Sequence, residues 1–289
     1  MKKRLDKIIL CTSVGIIALF ISFQPAFSQN EFERVIKEKM DSLVYESGPN
    51  LPSQVFFPNN SVQSIMTPSG WGGSGTYIYG VIGGVYPALY TKKADMIGSV
   101  GISFGNSRKH VNVSIGANIG RLSEFQDYSY NVTVSRQLSS GSSISIGGLQ
   151  LLSNPDISDS PGGTYFIAFS HATQKFKEKT LGYSPLTYTI GFGNGRFLLK
   201  SPWDVRSGKG KYGTGVFAYI SYEVFKGINL NAEWSGVNLG FSTGFRPFNS
   251  DVSLGLGIYN LTKYSGDKAT MLVSAAYPLS LSKRSKGIL

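Results

Sequence analysis

Cysteine and histidine are almost absent from this chain of 289 residues, which has one of the first and two of the second. A single cysteine allows no internal disulfide, and Cys11 falls inside a segment expected to be removed, leaving no thiolate ligand and no cysteine nucleophile. With His110 and His171 as the whole histidine supply, a metal centre on paired histidines is not expected. Neither an H-E-x-x-H helix nor a Walker loop occurs, and no cofactor is expected. Charged residues make up only 16% of the chain, low for the coat of a soluble secreted domain. After residue 28 there is no run of eighteen apolar residues, so no membrane helix is expected. That lack leaves membrane strands open, because they alternate and give little hydropathy signal.

The N-terminus sets the compartment. Lys2, Lys3, Arg4 and Lys7 precede the apolar run Ile8 to Phe23, and Pro25-Ala26-Phe27-Ser28-Gln29 has the small-x-small form of a cleavage site. This pattern predicts a secretory signal peptide over residues 1–28, cut near Ser28. Cys11 follows Leu10 and precedes most of the apolar run, which does not fit a lipid-attachment cysteine. Cleavage would remove four of the 28 Lys+Arg and one of the 17 Asp+Glu, leaving a net charge of +8. The cations fall at turns and tails, as at Lys92-Lys93, Arg108-Lys109, Lys209 and Lys211. That placement suits lipid headgroups and lipopolysaccharide phosphates better than nucleic acid, whose binders cluster cations on one element, and it equally fits ordinary solvated turns that discourage aggregation.

Residues 29–48 read as a short amphipathic helix, with Phe32, Val35, Ile36, Met40, Leu43 and Val44 at helical spacing. It can lie in the periplasm, plug a barrel or rest on a membrane; the periplasmic position is the plainest. A linker rich in Pro, Asn and Ser follows over 49–74. From Gly75 the period becomes two. Val111, Val113, Ile115, Ala117 and Ile119 alternate with Asn112, Ser114, Gly116 and Asn118, and the same split recurs at 186–193, 228–234, 237–246 and 269–277. About twelve such segments lie between 75 and 278: 75–86, 96–104, 110–119, 128–138, 142–152, 163–172, 186–195, 212–225, 228–234, 237–246, 251–262 and 268–278. Most have the nine to eleven residues, roughly, of a tilted membrane strand. Long and short connections alternate through the first half, and segment 173–185 breaks that rhythm.

The expected fold is therefore all-β, a closed antiparallel transmembrane barrel of about twelve strands over 75–278, with a basic tail at 279–289. The polar faces are Gly, Ser, Thr and Asn rather than Lys and Glu, which suits a crowded lumen. Tyr128, Tyr130, Tyr165, Tyr188, Tyr222 and Tyr259 are placed for interfacial girdles. Glu223, Glu233 and Arg246 are charges on predicted inward faces, accompanied by Asn231 and Asn238. A two-residue turn at Ser235-Gly236 would set Glu233 opposite Asn238 and leave Arg246 out of its reach. Such residues can line a permeation path or tie the lumen shut, and about twelve strands favour the filled interior.

Three chemical patterns are set aside. Gly208-Lys209-Gly210-Lys211-Tyr212-Gly213 has the letters of a dinucleotide loop but runs into a strand instead of a helix. Ser170-His171 cannot form a nucleophile–base pair, since adjacent strand residues face opposite sides, and a partner would have to come from another strand. The N-x-[ST] matches at Asn59, Asn112, Asn131 and Asn260 read as accidental.

Gly191-Phe-Gly-Asn-Gly-Arg-Phe197, Asn231-Ala-Glu-Trp-Ser-Gly236, Val237-Asn-Leu-Gly-Phe241 and Leu254-Gly-Leu-Gly-Ile-Tyr-Asn-Leu-Thr262 resemble the exopolysaccharide-associated outer-membrane barrels of the YjbH-like group. The resemblance covers about 70 residues of Gly-rich strand, and this chain is much shorter than that group. It ends without the terminal aromatic common in outer-membrane barrels, although Tyr277 can stand in. The resemblance implies a role in surface-polysaccharide export or assembly and transfers no functional residue. The expectation is a non-enzymatic barrel of the Gram-negative outer membrane: a narrow channel or an accessory to polysaccharide export. Its partners would be outer-membrane lipids, lipopolysaccharide, the barrel-assembly machinery and polysaccharide or export proteins, with no nucleic acid. The alternatives are an adhesive or structural barrel and, last, a lipid hydrolase.

Overall fold

The computed structural model describes residues 57–59, 61–122, 124–139, 141–154, 163–173, 183–247 and 250–281, all within one compact unit, 55–289. The expected signal peptide, the helix at 29–48, the first part of the linker and most of the basic tail lie outside the described residues. The strands are β1 (Phe57–Pro58), β2 (Tyr77–Tyr86), β3 (Asp95–Gly105), β4 (Asn112–Arg121), β5 (Gln126–Ser139), β6 (Ser142–Leu151) and β7 (Thr164–Ala172), followed by β8 (Tyr183–Ser184), β9 (Leu186–Gly193), β10 (Val216–Phe225), β11 (Ile228–Trp234), β12 (Leu239–Phe245), β13 (Ser253–Tyr259) and β14 (Thr270–Ser280).

Twelve of these, all except β1 and β8, form a closed antiparallel barrel, with β14 pairing β2 to seal it. Closure leaves no unpaired edge, the condition for strands to sit in hydrocarbon. In β7, Thr164, Phe166, Ala168, Ser170 and Ala172 face inward and are buried, while Tyr165, Ile167 and Phe169 face outward and are exposed. The same parity sets Val100, Ile146, Ile220, Leu230, Phe241 and Val273 on the exterior. An apolar belt that continuous is too large for a surface in water, and it makes the molecule a membrane-spanning barrel.

The chain enters β2 and leaves β14 at one end, the near rim. Connections there are short at 140–141 and 226–227 and moderate at 106–111 and 246–252, whereas the far rim carries 87–94, 152–163, 194–215 and 260–269 beside the short 122–125 and 235–238. The near-rim exception is 173–185, the segment that broke the rhythm in the sequence, and it holds β8, which pairs in parallel with β1. The long connection thus receives the chain just before it turns into the barrel. On the far rim, the 194–215 connection carries a 3-10 turn (Gly195–Phe197) and the short helix α1 (Pro202–Arg206), capped by Ser201, whose Oγ accepts from the Asp204 N–H.

Two register details differ from expectation. The β11–β12 connection is four residues, 235–238, so Glu233 pairs with Gly240 and not with Asn238. Ser235 N–H donates to the Asn238 carbonyl at 2.9 Å, and Gly236 takes φ +88. The slip is even, so every side chain keeps its face. Tyr259, expected in a girdle, faces the lumen and is buried, in phase with Ser253, Gly255 and Gly257. Tyr128, Tyr130, Tyr165, Tyr188 and Tyr222 are exposed.

Candidate functional site: a lumen occupied by residues 61–73

The second half of the stretch read as a linker lies inside the barrel. Starting from β1 at the near rim, it climbs along β11, crosses the lumen, and descends past β6 and β7 to rejoin the rim at Ser107 and Asn112. Asn59 and Asn229 exchange amide hydrogen bonds at 2.9 and 2.8 Å, and Asn231 Nδ2 donates to the Val62 carbonyl at 3.2 Å. On the descending side, Gly70 N–H donates to Ser170 Oγ at 2.7 Å, and Ser143 Oγ donates to the Gly70 carbonyl at 2.6 Å. Ser107 Oγ closes the path on the Gly72 carbonyl at 2.7 Å. An irregular strand at membrane depth must find partners for its backbone, and the hydroxyl-rich wall supplies them.

Glu233 holds the top of this path. Its carboxylate accepts from Ser64 Oγ at 2.6 Å and from the backbone N–H groups of Ile65, Met66 and Thr67 at 2.9, 3.0 and 3.2 Å. Thr67 Oγ1 and Ser242 Oγ lie at 3.2 Å, and Tyr259 Oη donates at 2.6 Å. Three successive N–H groups converging on one anion form a nest. No cation is needed, because charge-assisted hydrogen bonds satisfy the buried carboxylate. Tyr259 reaches it by lying flat over Gly240, where a Cβ would meet its ring. Glu233 also belongs to a row of register partners, Ser143, Ser170, Thr189, Tyr219 and Glu233, that climbs the wall from close to the near rim toward the far rim.

The other inward residues expected from sequence serve different contacts. Asn231 is part of the wall, taking Ser221 Oγ at 2.6 Å and reaching Ser242 at 3.1 Å. Glu223 is buried and accepts from the Gly227 N–H at 2.9 Å, fixing the near-rim turn. Asn238 sits in the far-rim turn, where its Nδ2 donates to the Ser265 carbonyl at 2.6 Å and its Oδ1 accepts from the Thr262 N–H at 3.0 Å. Arg246 does not reach Glu233; its Nε donates to Ser253 Oγ at 3.2 Å, and its Nη2 is buried with no partner among the described residues.

The far rim is partly covered. Phe197 packs on Phe217 with ring centroids 4.4 Å apart, and Phe217 meets Phe166 edge-on at 6.2 Å. Phe217 occupies the space left by Gly191, where a Cβ would strike its ring. Asp204, fully buried, gathers three loops: it accepts from Tyr90 Oη, from Ser265 Oγ at 2.6 Å and from the Gly266 N–H at 2.7 Å. Burial alone would raise its carboxyl, but the bonds from Ser265, Tyr90, Gly266 and Ser201 outweigh that and hold it below the ordinary value. Burial and the Asp204 contact push the Tyr90 hydroxyl up to about 12.

A cavity of about 370 Å³ lies between the inserted segment and the barrel wall, lined by residues of β2, β4, β5, β10, β13 and β14. Among the described residues no cluster of metal-ligating side chains occurs. Ser170 and His171 point to opposite sides as expected. His171 instead meets Ser142 of the neighbouring strand on the outer face, Oγ to Nδ1 at 2.8 Å.

Sequence reasoning missed residues 61–73 and the inward role of Tyr259. A signal was present in Asn59, Ser61, Ser64, Thr67, Ser69, Gly70, Gly72 and Gly73, whose small polar character matches the lumenal faces of the strands.

No family model matches the chain, and no curated protein matches it. Among solved structures it is similar to a KdgM porin in complex with disordered oligogalacturonate, at TM-score 0.41 and 10% identity over 70% of this chain and 98% of that one. A NanC porin gives TM-score 0.39 and 10% identity over 70% and 100% of the two chains. Outer membrane phospholipase A from Escherichia coli gives 0.38 and 10% over 71% and 92%. These are distant likenesses of shape and carry no statement about ligand or activity.

Proposed function

We propose that this chain is a non-enzymatic barrel of the Gram-negative outer membrane that acts as a narrow channel, obstructed by its own residues 61–73. The observation that carries this reading is the Glu233 carboxylate gripping Ser64, Ile65, Met66 and Thr67 across the lumen. The near rim, with its short turns and both chain entries, faces the periplasm in this reading. In planar bilayers the whole chain is expected to show small, infrequent conductance steps, and a variant lacking residues 59–73 large and steady ones. Absence of conductance from both, with the barrel folded, would overturn the channel. An accessory role in surface-polysaccharide export rests on the resemblance of segments between 191 and 262 to YjbH-like barrels. Unchanged surface polysaccharide after deletion of the gene would remove it.

A second reading, a lipid hydrolase, has one observation in its favour: the Ser142–His171 hydrogen bond on the lipid-facing side. Against it, the two residues are register partners in paired strands, so the adjacent backbone N–H groups are committed to the ladder and offer no oxyanion donors. Acyl-hydrolase activity abolished by His171→Ala would establish this reading; no activity in the unmutated protein would end it.

A further inference from the structure

We infer that the lumenal cavity is a binding site for an uncharged sugar of one or two rings; this rests on the channel reading and names the solute class of the same passage. Of the cavity's lining residues, none is charged, in a chain whose net charge is +11. The lumenal carboxylate of Glu233 has its oxygens taken by the inserted segment, Ser242 and Tyr259. Arg246 is not itself among the lining residues, but its Nε donates to Ser253, which is, so one guanidinium stands behind the near-rim end of the space. A cationic solute would meet no counter-charge in the lining, and an anionic one only Arg246 behind Ser253 at one end, so an ionised solute is costly to place there. A solute with hydroxyl groups on apolar ring faces fits both kinds of surface present.

Those surfaces are distinct. Trp71 on the inserted segment and Tyr77 and Tyr79 on β2 supply flat apolar faces, with the two tyrosine rings 6.4 Å apart and inclined by 52°. Gln63, Ser114, Thr133 and Ser135 line the same space with amide and hydroxyl side chains, while the Asn112 amide is held by Gly73, Ser103 and Phe104. The volume, about 370 Å³, falls at the small end of ligand sites, which span roughly 300–1,000 Å³. Because Trp71 belongs to the inserted segment, the site exists only while that segment is seated.

The test is calorimetric titration of the purified full chain in detergent with maltose, glucuronic acid and glucosamine. Saturable binding of maltose, with the two charged sugars at least about tenfold weaker, is expected. Tyr79→Ala and Trp71→Ala should each weaken maltose by about tenfold or more, while heat-modifiable gel migration shows that both variants keep the barrel. No maltose binding by the folded protein, equal or tighter binding of a charged sugar, or unaltered maltose affinity in both variants would each overturn the inference. Conductance is measured separately: a barrel that conducts without binding maltose loses the sugar site and keeps the channel, and one that binds without conducting does the reverse.

Discussion

Ile65 and Glu233, 168 residues apart in the chain, are joined by a 2.9 Å hydrogen bond from backbone N–H to carboxylate inside the lumen. One acidic side chain on β11 thereby determines where an otherwise irregular segment lies. It does so through the backbone, so the identities of Ile65 and Met66 matter less than the conformation that aligns their N–H groups.

Glu233→Gln replaces one acceptor oxygen with a donor facing N–H groups. The seated state should lose about 2 kcal/mol, the size of one charge-assisted hydrogen bond. Hydrogen exchange of residues 61–73 should accelerate while the strands stay protected, and channel openings should become more frequent. Unchanged exchange would show that Glu233 does not hold the segment.

Gly244→Val tests the same seating from the wall. A Cβ at Gly244 would run into the Val62 carbonyl and side chain, and β12 is locked by pairing on both sides. The inserted segment must therefore shift. Limited proteolysis should cut within 61–69 in the variant and not in the parent, with gel migration of the barrel unaltered.

The far-rim cover should respond to acid. The Asp204 carboxyl is held below its ordinary value by its hydrogen bonds. Its stabilising contribution is therefore complete above the unfolded value, about 4, and is lost as pH falls through the lower folded value. Exchange in 194–215 should rise in that window. Asp204→Asn should show the loosened cover at every pH and no acid response.

Ile220 lies midway along β10 on the outer face, between Tyr188 of β9 and Ala232 of β11. Ile220→Arg should lower folding stability in lipid vesicles by ~2–4 kcal/mol, the midplane cost of a cation facing lipid. Urea titration of refolding gives the value, and a change below 0.5 kcal/mol, roughly the scatter expected of surface substitutions, would contradict the membrane placement of this face.

The alternation in Val111–Ile119 was fully readable, because successive Cβ atoms in a strand point to opposite sides whatever surrounds them. It gave the outward and inward faces of β4 and the inward placement of Glu233 and Asn231. The β11–β12 turn was misread by two residues, since Ser235-Gly236-Val237-Asn238 closes through Ser235–Asn238 bonds that the tight-turn pattern does not anticipate. Tyr259 was misplaced because an aromatic near a strand end fits a girdle equally well by composition; only its parity with Gly255 and Gly257 distinguishes the inward side.

From the amino-acid order alone came the barrel, its strand number, its apolar exterior and its small polar interior, all consequences of a period of two repeated at membrane-spanning lengths. What fills that interior was decided by tertiary structure. Barrel closure brings β11 to face residues 64–67, and a backbone N–H nest has no side-chain signature for sequence to display. The carboxylate that meets it is one acidic residue among 17, and its role follows from where the wall places it.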